Sequence, residues 1–201
     1  MFVQRVSFQP APGKGPELRE YVVSMPRQGR GTVSTRLAGP SPEYRVTTLH
    51  DSLAALEQAL NDAWANRPKG ATPLAGLAAK APAIELLEVL LPAPEGPNPG
   101  AVAQTAFEFA PGKGPEVRRL LEEIAKKRNA EGARMGIAMR VSGGPPAYFL
   151  TGFHADLAAV EKARAAALAD PEAPARAQRL AGLLARPPEL PQIFRIIARF
   201  G

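Results

Sequence analysis

The sequence predicts an α+β fold made of two tandem βαββαβ units within one chain of 201 residues. Three observations predict it: an internal repeat, a strand–helix alternation shared by both copies, and a Pro/Gly-rich joint between them. The repeat begins with Pro12–Glu17 (PGKGPE), which recurs unchanged as Pro111–Glu116. Leu49–Glu57 (LHDSLAALE) then answers Phe153–Glu161 (FHADLAAVE), and Leu74–Leu77 answers Leu180–Leu183. The offsets of 99, 104 and 106 grow slowly, as small insertions in a second copy would make them. The expected units are 1–92 and 100–201. The joint 93–99, within the run PAPEGPNPG, is too rich in breakers to be an element.

Each copy reads strand, helix, strand, strand, helix, strand. The first strand is Phe2–Gln9 or Val102–Phe109, and each ends in a Pro-Gly turn. The following helix opens at Pro16 or Pro115, with Glu17 or Glu116 at its positive end. Its apolar stripe is Leu18, Tyr21, Val22 and Met25, or Val117, Leu120, Leu121 and Ile124, at the i, i+3, i+4, i+7 spacing of a helix facing a core. The first of these helices is expected to stop near Pro26, and the second to run to about Gly132. A hairpin follows, Thr32–Leu37 with Tyr44–Leu49, or Met135–Val141 with Tyr148–Phe153, around the turns 39–42 and 142–146. Asp51/Ser52 and Asp156 are N-caps for the main second helix. That helix carries Leu53, Leu56, Leu60 and Trp64, or Leu157, Val160 and Leu168, as its core-facing residues. A short extra helix is expected around Leu74 and Leu77, or Leu180, Leu183 and Leu184, before a last strand at Ile84–Leu91 or Ile193–Phe200.

Composition excludes several classes. With no cysteine there is no disulfide framework, thiolate metal site or Cys nucleophile, which suits a reducing cytoplasm. No apolar run is long enough for a signal peptide at the start or for a membrane span elsewhere. The net charge of +6 divides as +1 for residues 1–100 and +5 for 101–201. Such an excess, spread over amphipathic helices, reads as a solvated surface, because phosphate binding needs clustered charge. PGKGPE lacks the spacing of a Walker loop. Lys14 and Lys113 could hold an anion at the helix start, but a turn that redirects the chain explains the glycines as well.

The order βαββαβ is the ferredoxin-like plan, an antiparallel sheet with both helices on one face. With the strand–PGKGPE–helix segment and the LHDSLAALE/FHADLAAVE junction in duplicate, the chain resembles the dimeric α/β-barrel superfamily. It is most similar to the NIPSNAP and antibiotic-biosynthesis-monooxygenase-like members. The resemblance implies two sheets packed face to face as an intrachain pseudo-dimer, with further homo-oligomerisation open. It also implies a small-molecule ligand and an activity among cofactor-free monooxygenases or haem degraders, although no full catalytic set of those enzymes is in register.

The candidate site is built on the chain's two histidines, His50 and His154, which end equivalent strands. Alternation puts Tyr44 on the face of His50 and Tyr148 on the face of His154, and Arg36 and Arg140 lie on the neighbouring strands. Histidine can exchange a proton near neutrality and arginine can orient a carboxylate or phenolate, so the set suits a small aromatic or acidic molecule. The equally available alternative is that the histidines end strands or cap helices. Glu85 and Glu88 in one last strand, against Arg195 and Arg199 in the other, suggest a contact between the copies. Two histidines without clustered carboxylates are a poor metal set, and no cofactor or metal is expected. The other readings are a structural or protein-interaction scaffold and an RNA-binding module. The second lacks the aromatic strand signature of the RNA-recognition fold.

Overall fold

A computed structural model describes residues 1–25, 27, 29–37, 42–65 and 74–201, without the side chain of Trp64. Pro26, the turn at 39–42 apart from Pro42, and the expected core role of Trp64 fall outside the described residues. The elements run β1 (Phe2–Phe8), α1 (Gly15–Ser24), β2 (Arg30–Arg36), β3 (Tyr44–His50), α2 (Leu53–Ala65) and β4 (Ala83–Leu91). They continue as β5 (Ala101–Glu108), α3 (Gly114–Ala130), β6 (Met135–Ser142), β7 (Ala147–His154), α4 (Leu157–Leu168), α5 (Ala173–Ala181) and β8 (Gln192–Phe200). The turns before α1 and α3 need the left-handed backbone that glycine adopts freely: Gly13 and Gly112 have φ of 74° and 78°. Lys14 and Lys113 lean on Glu17 and Glu116 one turn later, at 3.0 and 4.0 Å, and all four side chains are exposed. The turn accounts for the repeated glycines.

All eight strands join into one closed antiparallel barrel, ordered β1-β3-β2-β8-β5-β7-β6-β4. The two sheets expected to pack face to face, β4-β1-β3-β2 and β8-β5-β7-β6, also join along both edges through β2–β8 and β4–β6, which closes the barrel. Closure pairs the edge strands of both sheets, which stacking alone would not do. Both seams carry register shifts, at Val33/Ser34 against β8 and at Leu86/Leu87 and Val89/Leu91 against β6. Such irregularities bend strands into a barrel.

Helices pack on the outside, so each strand is covered on both faces. On one flank Phe8, Val33, Tyr44 and Val46 meet Leu18 and Val22 of α1. On the other, Phe107, Ile137 and Tyr148 meet Val117, Leu120, Leu121 and Ala125 of α3 and Leu180 of α5. A third cluster, Val3, Leu87, Ala138, Ala147 and Phe149, lies inside the barrel. The second helices are seated more lightly than their apolar spacing predicts. Leu56 and Val160 are buried, but Leu53, Leu60, Leu157 and Leu168 are exposed. Around Leu74–Leu77 the chain forms a turn, not a helix, whereas α5 holds Leu180 and ends before Leu183 and Leu184. No helix among the described residues is long and apolar enough to cross a membrane.

Candidate functional site

An eight-stranded barrel is just wide enough for its interior side chains to fill it or to leave room for one small ligand. This barrel leaves room. A cavity of about 300 Å³ opens at the end where the chain begins and where Pro92, Ala93 and Pro99 cross the mouth. Its walls are apolar, with Val3, Leu49, Val89, Val102, Phe153 and Ile196 among them. At its inner end stand Arg5, Arg45, Gln104 and Thr151. Arg45 and Gln104 also line a smaller chamber of about 120 Å³ at the opposite end, where Glu85, Glu108, Arg140 and Arg186 gather.

Four guanidinium groups, from Arg5, Arg36, Arg45 and Arg140, share this interior with the carboxylates of Glu43, Glu85 and Glu108. Glu43 is buried and takes three donors: Ser7 Oγ at 2.9 Å, Arg45 Nη2 at 3.0 Å and Arg36 Nη1 at 3.2 Å. Glu85 accepts from Arg140 Nε and Nη2 at 3.0 and 2.8 Å. Glu108 takes Arg186 at 2.6 Å and lies 3.9 Å from Arg140. Arg45 Nη1 donates to Gln104 Oε1 at 3.3 Å, and Gln104 Nε2 donates to Thr151 Oγ1 at 2.7 Å. The Arg45 guanidinium also lies 3.9 Å from the centre of the Phe194 ring.

Arg5 is the exception. Its side chain is 9% exposed, its nearest carboxylate oxygen, on Glu85, is 4.0 Å away, and Nη1 has no hydrogen-bond partner among the described residues. Arg5 and Arg140 each stand 4.9 Å from the Phe149 ring centre, so that ring supplies part of what water would. Desolvation, then the neighbouring positive Arg45, push the Arg5 guanidinium down to about 9; Glu85 opposes them. Arg5 therefore keeps its charge at neutral pH.

The residues expected to form one site are divided between the two faces of the barrel wall. Directly opposed residues of an antiparallel pair share a face. Tyr44 is opposed by Thr35 and Tyr148 by Met139, which leaves Arg36 and Arg140 on the other face. Tyr44 packs in the outer core and its hydroxyl donates to the Gly15 carbonyl at 3.0 Å. Tyr148 stacks on Phe109 with ring centres 4.9 Å apart. By alternation His50 and His154 follow these tyrosines onto the helix-facing side. His50 is buried with Nε2 unpartnered among the described residues. The His154 ring lies over Gly152, where a Cβ would stand 2.7 Å from Nε2. Desolvation lowers the pKa of both histidines, with Asp51 pulling His50 partly back. Arg36 and Arg140 alone of the expected set look into the barrel.

The last strands each meet the other half of the chain, β4 against β6 and β8 against β2, and not one another. Glu85 turns inward to the arginines, while Arg195 is exposed and Arg199 holds the Pro99 carbonyl at the rim. Arg5, Glu43, Arg45, Gln104 and Thr151 were not singled out from sequence. Their signal is polarity in mid-strand: Arg5 is opposed by Thr47, and Gln104, 99 residues later, by Thr151. The side-chain pairs correspond too. Arg45 reaches Gln104 through a hydrogen bond, and Phe149, 104 residues after Arg45, reaches Arg5 through its ring face.

No family model matches the chain, and no curated protein sequence does. Solved structures do match in fold. A proposed monooxygenase of Fusobacterium nucleatum superposes with a TM-score of 0.70 at 11% identity, over 98% of this chain and 93% of that one. An anthrone oxidase-like protein gives 0.65 at 14% identity, over 99% and 92%. A proposed monooxygenase of Lactobacillus acidophilus gives 0.64 at 10% identity, over 98% and 94%. The chain thus shares the α/β-barrel fold of these proteins.

Proposed function

We propose that this chain is a small-molecule-binding protein whose ligand, with an apolar body and an aromatic or acidic group, lies inside the barrel. The observation that carries the reading is the cavity of about 300 Å³, apolar along its walls and lined at its inner end by guanidinium groups. Its size is at the small end of the range for ligand sites, about ten waters' share of liquid volume. A cavity of this kind speaks against a purely structural scaffold. An RNA-binding surface is disfavoured because Tyr148 and Phe149 are buried, not exposed for stacking.

The finer reading of the fold is two tandem ferredoxin-like units, 1–92 and 100–201 joined by 93–99, forming a NIPSNAP-like intrachain pseudo-dimer in the cytoplasm. Its support is the PGKGPE repeat at the starts of α1 and α3, the equivalent strand orders, and the matched seams β2–β8 and β4–β6. Cofactor-free monooxygenase activity belongs to the same proposal, and its support is the naming of the proteins that share the fold. The lumen carboxylates Glu43 and Glu85 are held by arginines, so the interior is better built to hold an anion than to take a proton. His50 and His154 would serve acid–base work only in a second pocket, beneath the helices. Haem does not fit the lumen: the residues lining the cavity include no histidine or tyrosine to ligate iron.

Fluorescence titration with the neutral dye N-phenyl-1-naphthylamine tests the reading. Saturable one-to-one binding is expected, and Ala138→Trp, which fills the cavity from β6, abolishes it. A dye that binds the variant as well as the parent protein, or neither, would remove the lumen as the site.

A further inference from the structure

The lumen reading leaves the ligand's polar group open; resting on that reading, we infer that the ligand is a monoanion, a carboxylate with an apolar body, whose acid group docks on Arg5. The argument starts from charge. Four arginines and three glutamates face the interior, and the glutamates are engaged by partners other than Arg5. Glu43 is taken by Ser7, Arg36 and Arg45, Glu85 by Arg140, and Glu108 by Arg186. Arg5 receives only a 4.0 Å approach to Glu85 and the face of Phe149. A guanidinium buried in this way has donors without acceptors, an arrangement that is costly unless an anion completes it.

Position gives the acid its orientation. Arg5 lines the inner end of the cavity beside Gln104 and Thr151, and the path from the mouth to it is walled by Val3, Leu49, Val89, Val102, Phe153 and Ile196. A molecule entering between Met1 and Pro99 would lay its apolar body along these walls and arrive acid first. One cation without a hydrogen-bonded partner calls for one negative charge. Glu43 and Glu85 would repel a second. Planar guanidinium and carboxylate groups match in two parallel hydrogen bonds, which favours a carboxylate over a halide or a sulfonate.

The probes are octanoate and its neutral isostere octanamide, titrated calorimetrically into the full chain and into Arg5→Met, Arg5→Lys and Ala138→Trp. Octanoate is expected to bind at least tenfold more tightly than octanamide. Arg5→Met should erase that preference, and Arg5→Lys should retain part of it. Ala138→Trp should block both. Equal binding of the two probes, blocked by Ala138→Trp, would overturn the acid assignment and leave the lumen reading standing. A preference for octanoate that survives Arg5→Met would move the acid to another arginine and overturn the role of Arg5. If neither probe binds the parent protein, both readings fall. Cooperative thermal unfolding of each variant checks that it folds, and Arg5→Lys keeps the test decisive should Arg5→Met not fold.

Discussion

Replacing Arg5 by methionine should make the ligand-free protein more stable. Met keeps most of the apolar stem that packs beside Phe149 and removes the buried charge. The fall of the guanidinium pKa to about 9, at about 1.36 kcal/mol per tenfold change, corresponds to a preference for the neutral form of about 5 kcal/mol, an upper bound. Relaxation around the charge and the lost contact with the Phe149 ring reduce the net gain to about 1–3 kcal/mol. For a chain of this length that is a rise in Tm of about 2–10 °C. Differential scanning calorimetry of the two proteins without added ligand would measure it. The sign of the pH dependence is fixed as well. Above about 9 the unfolded chain binds more protons at Arg5 than the folded one, so its penalty is full at neutrality and is relieved as pH rises past that value. The advantage of Arg5→Met should therefore be constant from pH 6 to 8 and shrink above 9. A variant that unfolds cooperatively at a lower temperature than the parent would refute the reasoning, and would make Arg5 a partner the fold requires.

Three further outcomes follow from the same geometry. Glu43→Gln removes the one carboxylate shared by Ser7, Arg36 and Arg45 and should cost about 3 kcal/mol or more in urea unfolding, since two buried arginines lose their counter-charge. Gly31→Ala should cost about 1–3 kcal/mol or more, because the added Cβ would stand 2.2 Å from the Thr47 carbonyl oxygen and 2.5 Å from the Phe200 ring; a neutral effect in the same assay would show that β2 can shift. Burial lowers the pKa of both His50 and His154, so the unfolded chain takes up their protons first and stability should fall as pH drops below about 6.5. Replacing both by glutamine should flatten that slope in Tm against pH, and an unchanged slope would assign it to other groups.

What the sequence determined by itself is the order and phase of the elements. The apolar period marks α1 and α3, Asp156 caps α4 through Ala159 N–H, and the first glycine of each PGKGPE turn, Gly13 or Gly112, sits at positive φ as a redirecting turn demands. These features are local: each depends on neighbours within a few residues, and the chain carries them in plain order. Alternation groups Tyr44 with His50 and Tyr148 with His154. It could not say which face of a strand looks into the barrel, because both faces are covered and both carry apolar residues. Only the cross-strand register decides that Arg36 opposes the backbone of Glu43 and not Tyr44, and that the arginines part from the tyrosines and histidines. The seams β2–β8 and β4–β6 join residues more than 45 positions apart, which no local pattern encodes. Closing those seams turns Arg5, Arg45, Gln104 and Glu85 from isolated mid-strand polar residues into the inner surface of one cavity. The charge balance around Arg5 exists only once the barrel has removed these groups from water.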